Sequence, residues 1–238
     1  MIFAAILAGG VGSRMNLSDM PKQFLPLDDK PIIMHTLEKF LMCSKFDCFF
    51  IGVHSDWVLH MKDLVSKSNL PHKDNICIVP GGKDRNETLL NVIADIEKRF
   101  GESDEHVIVT HDAVRPFVSL CMIERNIEAA IKYGACDTVI PATDTIVSSK
   151  DGQVIDSIPQ RSEMYQGQTP QSFNVNLLKS LYADLSEDEK KILTDACKIC
   201  AVRNYPVHLV EGAVSNMKLT TITDYKVAQA LVGGIIDD

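Results

Sequence analysis

The sequence contains no uncharged apolar run close to the roughly 18–20 residues that a helix needs to cross a membrane. Basic residues are also scarce relative to acidic ones, 24 against 32, which gives a net charge of −8. An acidic chain is poorly suited to sequence-independent binding of nucleic acid, because that binding depends on neutralising phosphates. The N-terminal apolar stretch has no basic region before it, so it predicts a first strand and not a signal peptide. We therefore expect a cytoplasmic protein with neither membrane nor nucleic acid as partner.

The seven cysteines are odd in number and scattered, which argues against a disulfide framework. Cys197 and Cys200 form a C-x-x-C pair, yet no second pair or histidine at ligand spacing completes a zinc site. We therefore expect buried structural thiols rather than metal or redox chemistry.

Hydrophobic residues make up 45% of the 238 residues and charged residues 24%, which suits one α/β domain spanning residues 1–238. Short apolar runs alternate with amphipathic helical patterns up to about residue 141. The predicted strands lie at 2–7, 47–53, 76–79, 106–110 and 136–140. Alternation of this kind is typical of βαβ units. We therefore predict an α/β fold with a Rossmann-like, mostly parallel sheet and helices on both faces.

The alternation ends near residue 141, where the pattern predicts a projecting β-hairpin arm at about 142–165. Short strands at 144–148 and 153–156 flank the turn Lys150-Asp151-Gly152. The arm needs a partner surface for its apolar side chains, because an isolated hairpin is only marginally stable. Those side chains are Ile146, Val147, Val154 and Ile158. Beyond the arm, the pattern predicts helix over 174–201, strands at 207–210 and 216–219, and a final helix at about 222–233.

The first loop follows the first strand, at the edge where α/β sheets bind ligands. Its sequence is Leu7-Ala8-Gly9-Gly10-Val11-Gly12-Ser13-Arg14-Met15. It is not a P-loop, and Met15 stands where a dinucleotide-binding loop would need its third glycine. The glycines let backbone N–H groups approach a polyphosphate, and Arg14 and Lys22 are suited to stabilising charge on a leaving pyrophosphate. From the residues alone, a solvated turn with surface cations remains the alternative.

Two further loops carry candidate ligand-binding residues at the same edge of the predicted sheet. After the third strand, Gly81 and Gly82 allow the main chain to reach a base, while Asn86 and Thr88 offer side-chain hydrogen bonds. The alternative there is a loop that merely caps the next helix. Asp112 follows the fourth strand, and its carboxylate suits Mg²⁺, which prefers carboxylate and phosphate oxygens.

These loops, taken in order, resemble the motifs of cytidylyltransferases that make CDP-linked polyols. The matching segments are 7–15 with 21–23, 81–88, 111–116, 169–171 and 211–220. Because the resemblance covers essentially the whole chain, it implies a fold of the nucleotide-diphospho-sugar transferase type. It also implies CTP as substrate, Mg²⁺ as the divalent metal, and a homodimer in which the arm embraces a second subunit.

The same resemblance assigns roles to individual residues. The implied catalytic residues are Arg14, Lys22, Arg161 and Lys218. The last two would also grip the phosphate of the acceptor polyol, and in a two-fold dimer Arg161 of each chain would lie in the other chain's site. The implied metal ligands are Asp112 and Asn216. The implied CTP-binding residues are Leu7, Ala8, Gly9, Gly10, Gly81, Gly82, Lys83, Asp84, Arg85, Asn86, Glu87, Thr88 and Asp112.

Two members of the family compete. The segments 141–145, 156–161, 165–171 and 193–198 are more similar to ribitol-5-phosphate cytidylyltransferase than to 2-C-methyl-D-erythritol 4-phosphate cytidylyltransferase. We therefore expect transfer from CTP to D-ribitol 5-phosphate, giving CDP-ribitol for teichoic acid or a related polymer, with methylerythritol 4-phosphate as the alternative acceptor. A non-catalytic nucleotide-binding module and an NAD-dependent oxidoreductase are the competing classes. The loop cations argue against the first, and the missing third glycine argues against the second.

Overall fold

The computed structural model describes residues 1–10 and 20–233. In this part of the chain the strands are β1 (Ile2–Ala8), β2 (Pro26–Leu27), β3 (Lys30–Pro31), β4 (Cys48–Val53), β5 (Ile76–Pro80), β6 (Val107–Asp112), β7 (Ala135–Pro141), β8 (Tyr165–Asn174) and β9 (His208–Glu211). The helices are α1 (Ile32–Leu41), α2 (Val58–Lys67), α3 (Arg85–Phe100), α4 (Leu120–Tyr133), α5 (Val175–Ala183), α6 (Glu187–Lys191), α7 (Ala196–Val202) and α8 (Ile222–Val232). Short 3₁₀ helices include Lys22–Phe24, Ser55–Trp57 and Arg161–Glu163.

Seven of the described strands form one sheet in the order β5-β4-β1-β6-β8-β7-β9, and β2 pairs with β3 separately. Strands β5, β4, β1 and β6 are parallel neighbours, and β9 is parallel to β7. Strand β8 runs antiparallel to both β6 and β7. The predicted α/β fold with a mostly parallel sheet is therefore confirmed.

Helices cover both faces of this sheet, as predicted. On β1, Phe3, Ala5 and Leu7 belong to the core shared with α3, α5 and α7, while Ala4 and Ile6 belong to the core shared with α1, α2 and α4. A parallel strand buried on both faces has no polar side, which explains the continuous apolar run of β1. None of the described helices combines the length and the apolar character needed to cross a membrane.

Helix α3 follows the second loop, residues 81–84, which begins where β5 ends. It begins after Asp84 because the Oδ1 of that residue accepts a hydrogen bond of 2.8 Å from the N–H of Glu87. It ends at Gly101, whose φ of 77° suits glycine and would strain a residue with a Cβ. The first residue of the helix, Arg85, consequently lies near the carboxyl end of β5.

Strand β8 is absent from the sequence-based prediction. Pro170 lies inside the strand, and a proline there argues against a central position in a sheet. Neighbouring strands nevertheless supply its hydrogen bonds: the Thr110 hydroxyl donates to the Gln171 carbonyl at 2.8 Å, and the Thr138 hydroxyl donates to the Pro170 carbonyl at 2.6 Å. Side-chain donors of this kind cannot be deduced from local patterning.

Two other predictions in the C-terminal third are wrong. The single helix predicted over 174–201 is three shorter helices, because Ser186 and Asp195 each cap a new helix start. The segment 216–219 is not a strand. It is irregular, and the N–H of Leu219 donates to the carbonyl of Val114 at 2.9 Å.

The strands predicted for the arm, at 144–148 and 153–156, do not form. An antiparallel bridge joins Ser148 to Ser157, and Asp151 closes the turn by accepting a hydrogen bond of 3.0 Å from the N–H of Val154. Val154 is 67% exposed and Ile158 is 60% exposed. The described part of the same chain therefore offers these side chains no surface against which strands could be stabilised.

All seven cysteines are free thiols, in agreement with the absence of a disulfide framework. Cys197 and Cys200 are buried, as predicted, whereas Cys121 is exposed and contradicts the general expectation. Among the described residues, no group of three His, Cys, Asp or Glu side chains is arranged to hold a metal ion.

Candidate active site

A cavity of about 400 Å³ opens at the carboxyl ends of β1, β4, β5 and β6, the edge that the sequence predicts. The predicted residues in its wall are Leu7, Ala8, Gly9, Gly10, Lys22, Gly82, Lys83, Asp84, Arg85, Thr88, Asp112 and Lys218. The predicted residues outside its wall are Gly81, Asn86, Glu87, Arg161 and Asn216. Arg14 lies outside the described residues.

Gln23 fixes the main chain where the first loop leaves β1. Its Nε2 donates to the carbonyl of Ala8 at 2.7 Å and to the carbonyl of Gly10 at 3.1 Å. The buried Gln23 and the cavity-lining Lys22 belong to the same 3₁₀ helix, so one short element both shapes the loop and supplies a cation. No role is predicted for Gln23 from the sequence, although it is the last residue of the matching segment 21–23.

Thr88 holds the second loop in a closed turn. Its hydroxyl donates to the Asp84 carbonyl at 2.8 Å and accepts from the N–H of Gly82 at 3.0 Å. The first loop approaches this hydroxyl so closely that a Cβ on Gly9 would lie 2.9 Å from Thr88 Oγ1. Glycine at this contact therefore allows the first and second loops to pack together at the cavity.

Asp112, the last residue of β6, is surrounded by three cations. Its Oδ1 lies 3.3 Å from Arg85 Nε, and its Oδ2 lies 3.3 Å from Arg115 Nε and 2.9 Å from Lys218 Nζ. Burial alone would raise the pKa of Asp112, but the charges of these cations outweigh it and hold the pKa well below its ordinary value. The carboxylate is ionised at neutral pH, and the cluster retains an excess of positive charge that suits a polyphosphate.

Arg85 has hydrogen-bonding capacity left over. Its Nη1 and Nη2 are buried, and neither has a hydrogen-bond partner among the described residues. A buried donor without a partner costs free energy, so an anion that accepted from these nitrogens would stabilise the side chain. Arg85 is also the first residue of α3, whose N-terminus adds partial positive charge.

His111 supports the main chain of Asp112. A carbonyl can only accept, so His111 Nε2 carries the proton and donates to the Arg115 carbonyl at 3.1 Å. Its Nδ1 accepts from the Thr169 hydroxyl at 2.9 Å, and that hydroxyl accepts from the N–H of Asp112 at 3.1 Å. Burial lowers the pKa of His111 to about 4, which keeps the ring neutral near pH 7. These hydrogen bonds hold the main chain in place, and they give the ring no role in proton transfer.

His54 also lines the cavity, and sequence reasoning does not find it. It follows β4 directly, and its Nδ1 accepts a hydrogen bond of 3.4 Å from the N–H of Asp56. The preceding residue, Val53, accepts a hydrogen bond of 2.6 Å from the N–H of Gly81 in the second loop. The position of His54 at the carboxyl end of a parallel strand is the sequence signal that points to a role in ligand binding.

A mostly parallel sheet with glycine-containing loops and clustered cations around a cavity at its carboxyl edge defines a nucleotide-binding fold of the nucleotidyltransferase class. A family model described as IspD, 2-C-methyl-D-erythritol 4-phosphate cytidylyltransferase, matches residues 2–234. The chain belongs to this family of cytidylyltransferases.

Solved structures share the fold over nearly the whole chain. The 4-diphosphocytidyl-2C-methyl-D-erythritol synthase from Anaerococcus prevotii is 24% identical with a TM-score of 0.79, over 98% of both chains. The 2-C-methyl-D-erythritol 4-phosphate cytidylyltransferase from Francisella tularensis is 24% identical with a TM-score of 0.78, over 95% of this chain and 97% of its own. At this identity the likeness establishes the nucleotidyltransferase fold and leaves the substrate to chemical argument.

Proposed function

We propose that the cavity binds CTP and that the enzyme transfers its cytidylyl group to the phosphate of a polyol phosphate. The observation that carries this proposal is the cluster of Arg85, Arg115 and Lys218 around the ionised Asp112. The cluster lies beside two glycine-containing loops, which suit the close approach of a nucleotide. The chain also belongs to a family of cytidylyltransferases, which supports transfer of a cytidylyl group.

In the proposed reaction a phosphate oxygen of the acceptor attacks the α-phosphorus of CTP in line. The new P–O bond forms while the bond from the α-phosphorus to the bridging oxygen breaks, and pyrophosphate leaves with the electron pair. An ionised phosphate needs no general base, so catalysis consists of positioning and charge stabilisation. Lys22 and Arg14 would stabilise the charge that grows on pyrophosphate, and the assignment of Arg14 rests on the sequence.

Magnesium fits this site through Asp112. The carboxylate is an ionised oxygen donor in the cavity wall, the chemistry that Mg²⁺ prefers. The described residues hold no cluster of three acidic, His or Cys side chains, so triphosphate oxygens would supply further ligands. Bound there, the ion would neutralise phosphate charge. Asn216, the other predicted ligand, does not line the cavity.

Two acceptors are candidates. The family and the similar protein from Francisella tularensis are both named for 2-C-methyl-D-erythritol 4-phosphate, so the comparisons favour this acceptor over the ribitol 5-phosphate expected from the sequence. Ribitol 5-phosphate is the second candidate because of segments such as 156–161 and 193–198, and its product would be CDP-ribitol for teichoic acid or a related polymer. Either acceptor presents a phosphate dianion, which Lys218 and Arg161 would hold.

A homodimer formed through the arm would complete this site. Arg161 lies in the 3₁₀ helix near the end of the arm, is absent from the cavity wall of its own chain, and donates from Nη1 to the Thr143 carbonyl at 3.1 Å. Exposed Val154 and Ile158 need a covering surface. A two-fold dimer would cover the arm and carry Arg161 to the cavity of the partner.

Pyrophosphate release from CTP tests the proposed function, with each acceptor supplied separately. We expect turnover that requires both CTP and one of the two polyol phosphates, and kcat/KM identifies the preferred acceptor. Binding of CTP without pyrophosphate release from either acceptor would favour a non-catalytic nucleotide-binding module instead.

A further inference from the structure

Asn216 is fully buried and committed to hydrogen bonds that join distant parts of the chain. Its Nδ2 donates to the Thr169 carbonyl at 2.8 Å and to Gln168 Oε1 at 3.1 Å, both in β8. Its own carbonyl accepts from Arg115 Nη1 at 2.8 Å. One residue therefore connects β8, the loop after β6 and the segment that follows β9.

Lys218 lies between two anchors of that segment. On one side is Asn216, with the three hydrogen bonds just described. On the other side the N–H of Leu219 donates to the Val114 carbonyl at 2.9 Å. From this anchored position Lys218 Nζ reaches Asp112 Oδ2 at 2.9 Å, although the lysine side chain itself is 41% exposed. The hydrogen bonds of these two anchors, rather than burial of the lysine, locate the cation.

The side chain of Asn216 does not face Asp112. Adjacent strand residues point to opposite faces, and His111 packs on Phe40 of α1 whereas Asp112 contacts Arg85 of α3. The amide of Asn216 lies on the His111 side, since its Nδ2 is 3.3 Å from the sulfur of Met122 in α4. Helices α1 and α4 cover the same face of the sheet.

The remaining amide atom is also sequestered. Asn216 Oδ1 is buried without a hydrogen-bond partner among the described residues, and Asn216 is absent from the cavity wall. A hydrated cation arriving in the cavity with a nucleotide would not reach this oxygen. The donor set therefore fits Mg²⁺ at Asp112 but not at Asn216.

We propose that Asn216 is a positioning residue that acts through Lys218, and not a metal ligand. It fixes the segment 216–219 against β8 and the loop after β6, so that Lys218 meets the phosphate of the acceptor. This inference rests on the proposed function, in which Lys218 contacts that phosphate. It replaces the metal role that the sequence suggests for Asn216.

The decisive variant is Asn216→Asp, which keeps the shape of the side chain and replaces its donor by an acceptor. The introduced carboxylate would face the Thr169 carbonyl and Gln168 Oε1, both acceptors, so the segment should shift. Because small displacements of positioned groups are costly, we expect kcat/KM for the acceptor to fall about 10–100-fold. The Kd for CTP should change much less than this, since Arg85 and the two glycine loops are untouched.

Two further readouts separate positioning from other roles. A residue that acts only through Lys218 loses its effect when that lysine is gone, so Asn216→Asp in a Lys218→Met background should cost little beyond Lys218→Met alone. The affinity for Mn²⁺ in the presence of CTP, followed by electron paramagnetic resonance, should not change. Effects that multiply across the double variant, or tighter Mn²⁺ binding as expected for an added carboxylate ligand, would overturn the proposal.

Folding of each variant is checked by its melting temperature. If Asn216→Asp does not fold, Asn216→Ser carries the same measurements without introducing charge into the core. For this variant, weaker Mn²⁺ binding is the metal outcome that would overturn the proposal. The proposed function is tested separately, and it is contradicted if the unmodified enzyme releases no pyrophosphate with either acceptor. An unmodified enzyme that turns over but shows multiplicative effects or altered Mn²⁺ affinity contradicts only the role of Asn216.

Discussion

Asp137 in β7 offers a prediction about stability whose sign and size follow from its surroundings. Its Oδ1 accepts a hydrogen bond of 3.1 Å from Gln171 Nε2, and the same nitrogen donates to Asp195 Oδ2 at 3.2 Å. Burial, reinforced by the negative charge of Asp195, raises the pKa of Asp137 from 3.8 to about 7, and the bond from Gln171 only partly opposes this rise.

The direction of the pH dependence follows from proton binding. Between pH 3.8 and about 7 the folded protein binds more protons at Asp137 than the unfolded chain does, so the free energy of unfolding falls as pH rises. Above about pH 7 Asp137 is ionised in both the folded and the unfolded protein, so the loss of stability is complete. This pKa shift corresponds to a loss of at most about 4 kcal/mol in the free energy of unfolding. We expect a loss of about 1–2 kcal/mol, because the surroundings relax around the charge.

The substitution Asp137→Asn removes the charge and keeps an oxygen that accepts from Gln171. At pH 8 it should raise the melting temperature by roughly 3–6 °C, as about 1–2 kcal/mol does for a chain of this size. At pH 4 the gain should be well under half as large. Thermal unfolding at both pH values measures this, with Asp74→Asn at an exposed position as the matched control. Equal gains at the two pH values, or a loss at pH 8, would refute the reasoning.

Three predictions concern the reaction. Lys22→Ala should lower kcat about 10²–10³-fold with little change in CTP affinity, because the interaction of Lys22 with the leaving pyrophosphate grows as charge moves to it. An unchanged kcat in steady-state assays would contradict this prediction. Mixing inactive Lys22→Ala and Arg161→Ala proteins under subunit exchange should restore about one quarter of full activity, since half the dimers are mixed and one of their two sites is intact. No recovery despite proven exchange rules out a shared site. His54→Ala should raise the KM for CTP about 3–10-fold through loss of one hydrogen bond, whereas His72→Ala, outside the cavity, should leave it unchanged. Equal KM values for the two variants would argue against contact between His54 and the nucleotide.

The parallel half of the sheet could be predicted because its signals are local. Strand β1 is apolar on both faces and leads directly into Gly9 and Gly10, and β6 ends at Asp112. The rule that ligands bind at the carboxyl edge then brings most of the predicted residues into one cavity. Patterning along the chain is sufficient for elements of this kind.

The other features depend on contacts between distant residues. Strand β8 satisfies its polar main chain through hydroxyl groups of Thr110 and Thr138, which lie far away in the sequence. Asn216 resembles a metal ligand by residue type, and its partners Thr169 and Arg115 become known only from the folded chain. The arm is a third case, because its predicted strands lack a covering surface within the described chain.

Pyrophosphate release in the presence of CTP and each polyol phosphate is the most direct test of the central claim. We expect release that requires CTP together with either 2-C-methyl-D-erythritol 4-phosphate or ribitol 5-phosphate, and a loss of at least about 10²-fold when Lys22 is replaced by alanine. Absence of release with both acceptors, or equal release when CTP is replaced by UTP, would contradict it.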